Sequence, residues 1–238
     1  MSQVRQAAGG GHVVEVPPER LSGWFDRFAE RNDGIQATTA TPAEVVVTGR
    51  NGTAATATVP FPPLDAGLSG GSHSQGTLPP TVRLVVHARR PRRIGLLLVR
   101  LGAHSVGIAD NGKVIASRTA RHLVHGRSAA GGWSQHRFAR RRQGQVREAL
   151  REAAGDVLDV LVPRLAELDA VVLGGDRRAL GELRADRRLA VVFSLATPRI
   201  LDLGEPRRVV LAEAAERARA VEILVRPATT RKSLDSDQ

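Results

Sequence analysis

The chain has no cysteine and no tyrosine, holds one methionine, and draws only 3% of its residues from the aromatics. Without cysteine, disulfides and thiolate metal sites are excluded. So few aromatics argue against a broad base-stacking platform. No run approaches the ~18 continuous apolar residues of a membrane-spanning helix, so no membrane partner is expected. The opening MSQVRQAAGGGH lacks the apolar stretch of a signal peptide, which makes the cytoplasm the expected compartment. Lysine is nearly missing too. Of the 35 cationic side chains only Lys113 and Lys232 are lysine. A GC-rich genome accounts for the preference for arginine, but not for its clustering.

What the chain does have is charge of one sign. Thirty-five cationic side chains stand against 24 acidic ones, for a net +11 and a pI near 11.5. Such an excess points to a polyanionic partner, nucleic acid first. At ~150 residues per domain, 238 residues suggest one or two domains.

Along the chain, PPERLSGWFDRFAERN reads as a helix with a proline start, its Leu21, Trp24, Phe25 and Phe28 on one core-facing stripe. AEVVVTGR and TAATATVPF read as strands joined by the Asn51-Gly52 hairpin turn. TVRLVVHA, residues 81–88, reads as a further strand. The second half is more regular. Strands are expected at 94–101, 104–110 and 113–120, the last two joined by the tight turn Asp110-Asn111-Gly112. A loop over 121–135 and a long helix over about 137–166 follow. Then come a strand at 169–174, a helix at 176–186, a strand at 199–203 and a helix at 206–220. Residues 189–196 fit strand or helix equally well. The order β-β-β-α-β-α-β-α implies an α/β fold with a mixed sheet flanked by helices, the ribonuclease-H-like pattern. The expected organisation is a disordered 1–11, a small α+β N-terminal domain over 12–90 with a flexible 62–80 insertion, a second domain over 91–226, and a disordered tail, 227–238.

A ribonuclease-H-type nuclease needs carboxylates converging on two metal ions, one of them on the first core strand. The strand from Ile94 to Leu101 carries no acid. Asp110 fits turn chemistry, and Glu148 and Glu152 fit pairing with neighbouring arginines. His122 and His125 lack a third ligand, and Gly174-Gly175-Asp176 lacks a phosphate-loop pattern but fits a helix cap. No metal and no cofactor are expected.

Residues 131–142 read GGWSQHRFARRR. Arg137, Arg140 and Arg141 share a helix face, Arg142, Arg147 and Arg151 extend the charge, and Arg121 and Arg127 add to it from the other side of the loop. A charge run is ordinarily a solvated helix end. Cations at a helix N-terminus, however, oppose the helix dipole at ~0.3–1 kcal/mol each. An RNA-phosphate surface accounts for that inversion.

This loop and helix resemble the catalytic domain of the Vms-type release-factor-like peptidyl-tRNA hydrolases, most closely their actinobacterial branch. That family is in turn similar to the central domain of eukaryotic and archaeal class I termination factors. Its Gly-Ser-Gln motif is matched by Ser134 and Gln135, whereas Trp133 stands where a glycine is usual. The likeness covers about 94–225 by element order. It implies hydrolysis of the ester between nascent peptide and tRNA, with the large-subunit rRNA and peptidyl-tRNA as partners, no DNA, and a monomeric protein. Gln135 would be catalytic, with Gly131, Gly132, Trp133 and Ser134 supporting the loop and His136 contacting phosphate. The alternative is a non-catalytic module that binds ribosomal or structured RNA through the same arginines.

Overall fold

The computed structural model describes residues 4–65, 78–100, 102–121 and 134–228, of which 134–142 by backbone alone. In chain order, the first elements are β1 (Val4–Gln6), β2 (His12–Val16), α1 (Leu21–Arg31), β3 (Ile35–Ala40), β4 (Glu44–Gly49), β5 (Ala54–Thr58) and α2 (Pro80–Arg89). They are followed by β6 (Arg93–Arg100), β7 (Ala103–Asp110), β8 (Lys113–Arg121), α3 (Ser134–Val160), β9 (Ala170–Gly175) and α4 (Arg177–Arg184). The last are α5 (Ala190–Ser194), β10 (Ala196–Leu201), α6 (Arg208–Arg219) and β11 (Val221–Arg226). Two compact units result: residues 91–218, and 1–90 together with 219–238.

The second unit is built on β6. Ile94 to Val99 are buried throughout, as a strand covered on both faces requires. β6 pairs antiparallel with β7 and parallel with β9, and the sheet order is β10-β9-β6-β7-β8. This is the ribonuclease-H-like order expected from the sequence. Leu97, Val99, Val106, Ile108, Val171 and Leu173 pack with Ala153 and Val157 of α3 and with Leu161 just after it. On the other face Gly107 lies so close to Leu211 of α6 that a Cβ would come within 2.8 Å of its Cδ2. The turn after β7 holds Asn111 at φ 47° and Gly112 at φ 85°, the left-handed pair that an Asn-Gly hairpin uses. At the end of β9, Gly175 has φ +96°, and a Cβ there would sit 2.2 Å from the Val99 carbonyl oxygen. Only glycine fits.

The first unit is a fully antiparallel sheet of order β1-β2-β11-β5-β4-β3. Leu21, Phe25 and Phe28 of α1 and Leu84 and Ala88 of α2 cover Val45, Val47, Ala55, Ala57, Val221 and Ile223. Trp24 is half-buried and stacks on Phe28, centroids 5.5 Å apart.

Several expectations are corrected here. Residues 81–88 are helical, not a strand: Pro80 starts α2, and Leu84, His87 and Ala88 turn inward at i, i+3, i+4. That spacing overrides the β-branched content. Val4–Gln6, expected to be disordered, pair with β2. β3 and β11 are two further strands. β11 lies between β2 and β5, so 221–226 belong to the first sheet and not with 91–220. Part of the 62–80 insertion is anchored, since Leu64 is buried in the first core. Residues 66–77, and 229–238 of the tail, lie outside the described residues. The undecided 189–196 holds a short helix, α5, and the start of β10. The long helix runs Ser134–Val160 rather than 137–166, because Pro163 follows and the chain continues as a 3₁₀ segment, Val162–Glu167.

Ile223 is fully buried and faces both neighbouring strands. Ile223→Ala is expected to destabilise the first unit by about 2–5 kcal/mol. Urea unfolding followed by Trp24 fluorescence, in a Trp133→Phe background, measures it.

Candidate functional site

Ser134 and Gln135 do not sit in the loop assigned to them; their backbone opens α3. The helix starts two or three residues early, so its first N–H groups, which have no intrahelical acceptor, lie at the motif itself. No acid occupies that first turn. His136, Arg137, Arg140, Arg141 and Arg142 follow on the same helix, with 137, 140 and 141 on one face by spacing. Gly131, Gly132, Trp133 and Arg127 lie outside the described residues, as do His122 and His125.

Arg121 ends β8, at the root of the loop. Its Nε donates to Glu205 Oε1 at 2.8 Å, and Arg207 donates to the other oxygen at 2.7 Å. The Arg207 hydrogen bond, with the charges of Arg121 and Arg207, holds the Glu205 carboxyl below the usual carboxylate range. Glu205 is therefore ionised at neutral pH and ties down one of the arginines assigned to RNA.

α3 is long, about 40 Å at 1.5 Å per residue, so its angle on the sheet decides where its start points. Apolar packing holds its second half. A polar clamp, absent from the sequence reading, fixes it further. His104 on β7 is 1% exposed and its Nε2 lies 2.8 Å from Asp156 Oδ2 on α3. Arg118 on β8 donates to Asp156 and to Asp159. The His104 Nδ1 is buried without a partner. Apolar residues could fill this position, but they would tolerate a shift in angle that a hydrogen bond does not. No sequence signal announces the pairing, because the partners are 52 residues apart.

The carboxylates weighed for nuclease chemistry are otherwise engaged. Asp110 accepts from Arg93 at 2.7 Å, so side-chain pairing rather than turn chemistry accounts for it. Glu148 pairs with Arg151. Asp176 caps α4, accepting from the amides of Arg178 at 2.8 Å and Ala179 at 3.4 Å. Among the described residues no group of three or more His, Asp or Glu could hold a metal ion. None of their helices is long and apolar enough to cross a membrane.

The sheet β8-β7-β6-β9-β10 thus carries a long helix that opens on Ser134-Gln135 and a run of arginines. Residues 92–224 match the family described as Actinobacteria/chloroflexi VLRF1 release factor, and the chain belongs to that family. Among solved structures it is similar to an archaeal translation termination factor, aRF1, at 15% identity and TM-score 0.40, over 87% of this chain and 65% of that one. It is also similar to the Vms1 mitochondrial localization core at 10% identity and TM-score 0.40, over 85% and 81%. A third likeness is to S. cerevisiae Dom34, a translation termination-like factor involved in RNA quality control, at 8% identity and TM-score 0.32, over 90% and 66%. The chain thus spans less than two thirds of the termination factor's length.

His104→Leu is expected to cost about 1–3 kcal/mol, because Asp156 loses a buried partner. A double-mutant cycle with Asp156→Asn, read by urea unfolding of the second unit, should show coupling of about 0.5–3 kcal/mol.

Proposed function

We propose that this protein is a peptidyl-tRNA hydrolase that works on the large ribosomal subunit, in rescue or quality control of stalled translation. The observation that carries the reading is Ser134-Gln135 at the head of a 27-residue helix whose first turns hold arginines and no acid, in a chain of a release factor family. The rRNA and peptidyl-tRNA are its partners, the cytoplasm its compartment, and the protein acts as a monomer.

The reaction needs little acid–base machinery from the protein. The ribosome already positions the ester. Water adds to the ester carbonyl, the C–O bond to the tRNA ribose breaks, and the products are a peptide carboxylate and a free tRNA hydroxyl. Gln135 is suited to orient that water and to donate to the developing oxyanion, being a neutral donor and acceptor. A charged side chain would lose more on desolvation at that depth. The unpaired N–H groups at the start of α3 add positive potential at the same place. Gly131 and Gly132 allow a narrow entry, Ser134 permits close backbone approach, and Trp133 stacks on an rRNA base. His136, Arg137, Arg140, Arg141 and Arg142, with Arg127 and Arg121 on the loop, hold phosphates. For Arg121 this means exchanging Glu205 for RNA. Neither a metal nor a cofactor takes part in this chemistry.

On purified ribosome–peptidyl-tRNA complexes, Gln135→Ala is expected to lower the rate of peptide release about 10²–10³-fold with binding retained. Undiminished release would sink the assignment in favour of a non-catalytic RNA-binding module. Arg140→Ala with Arg141→Ala should instead weaken co-sedimentation with 50S particles and make it less sensitive to salt.

A further inference from the structure

A crevice of about 590 Å³ opens within the second unit, along α3 beyond Arg142. It lies beyond the carboxyl ends of the parallel strands β6 and β9, where open α/β sheets hold their ligands. Its size is that of a small-molecule site, ~300–1,000 Å³. One wall is α3, with Gln143, Val146, Arg147 and Leu150; the other is the start of α4, with Arg178 and Glu182.

The chemistry of the lining is divided. Val146, Leu150, Val99, Ala103 and Ala179 give an apolar floor. Two guanidinium groups stand at the edge. Arg147 has no ion-pair partner among the described residues, and Arg178 is 88% exposed with only a 3.4 Å contact to Glu182. Arg177 and Arg184 on α4, and Arg187 just beyond it, are exposed as well, so the cationic face continues past the crevice. The α4 amides are not the anion site, since Asp176 already occupies them. An anion here would have to be held by side chains. The charged lining is Arg147 and Arg178 with Glu182 and the amide-bound Asp176, and an apolar slot edged by two guanidinium groups, with the Gln143 amide and Glu182 carboxylate to read an edge, fits a flat polar ring joined to phosphate.

We propose that this crevice is a second RNA site, which takes one unstacked nucleotide of single-stranded RNA. The base lies against Val146 and Leu150, and the phosphates on either side of it lie on Arg147 and Arg178. Duplex RNA cannot use it, because its bases are stacked and paired. The inference shares with the proposed function only the premise that the partner is RNA.

The test uses the full chain carrying Arg140→Ala and Arg141→Ala, which mutes the start of α3. A fluorescein-labelled, non-self-complementary RNA octamer is titrated by anisotropy, and the alanine methyl signals are followed by NMR. The Ala103, Ala149 and Ala179 methyls are expected to shift on binding. Arg147→Ala with Arg178→Ala should weaken binding roughly tenfold or more and lower the salt slope by about 0.7 per phosphate lost. Val146→Trp, which fills the slot, should weaken binding by a similar factor with the salt slope unchanged. Unmoved methyls, full affinity in the folded Val146→Trp protein, or equal binding of a duplex would each overturn the proposal. So would preferred binding to anionic lipid vesicles that the same variants abolish. Peptide release does not enter these readouts, so loss of hydrolysis in the Gln135 experiment and loss of nucleotide binding here are separate results.

Discussion

Ile94 to Val99 bury their side chains on both faces of one sheet, and that burial fixes most of what surrounds them. A strand covered on both sides admits only uncharged residues, and β6 offers its Leu97 and Val99 to α3, with Gly95 against Leu161 and Leu168 just beyond that helix. Its antiparallel partner leads into the meander, and its parallel partner brings the start of α4 to the same end of the sheet. The strand without an acid is thus the strand that supports everything else.

α3 combines opposite demands along one axis. Its second half is apolar on the buried face and clamped through His104 and Asp156. Its first half carries cations at the end where the helix dipole disfavours them. A helix supported only at its start could not carry that charge at a defined angle. The buried half supplies the stability that the cationic half gives up.

The fold of the second unit was legible because its signals were local and consistent: an unbroken apolar run, an Asn-Gly turn, a long 3.6-residue period and Asp176 as a cap. The misreadings came where tertiary contacts overrode local composition. TVRLVVHA has the β-branched content of a strand, yet two prolines before it and inward-facing Leu84, His87 and Ala88 make it a helix. IQATTA is mostly exposed and has no alternation strong enough to mark β3. VEILVR alternates well, but nothing in its neighbours tells which sheet will accept it, since its partners lie at 12–16 and 54–57. At the candidate site the motif itself could be read directly. The Arg121–Glu205 tie and the His104–Asp156 clamp could not, because each joins residues distant in the chain.

The placement of β11 also sets an order of events during synthesis. Residues 91–218 are contiguous, so the second unit has all its parts once they have left the ribosome. The first unit does not. Until 221–226 emerge, β2 and β5 have no strand between them, and each presents a row of unpaired amides and carbonyls. The first unit therefore closes only after the second has all its parts, because the strand that joins β2 to β5 is made later than residues 91–218.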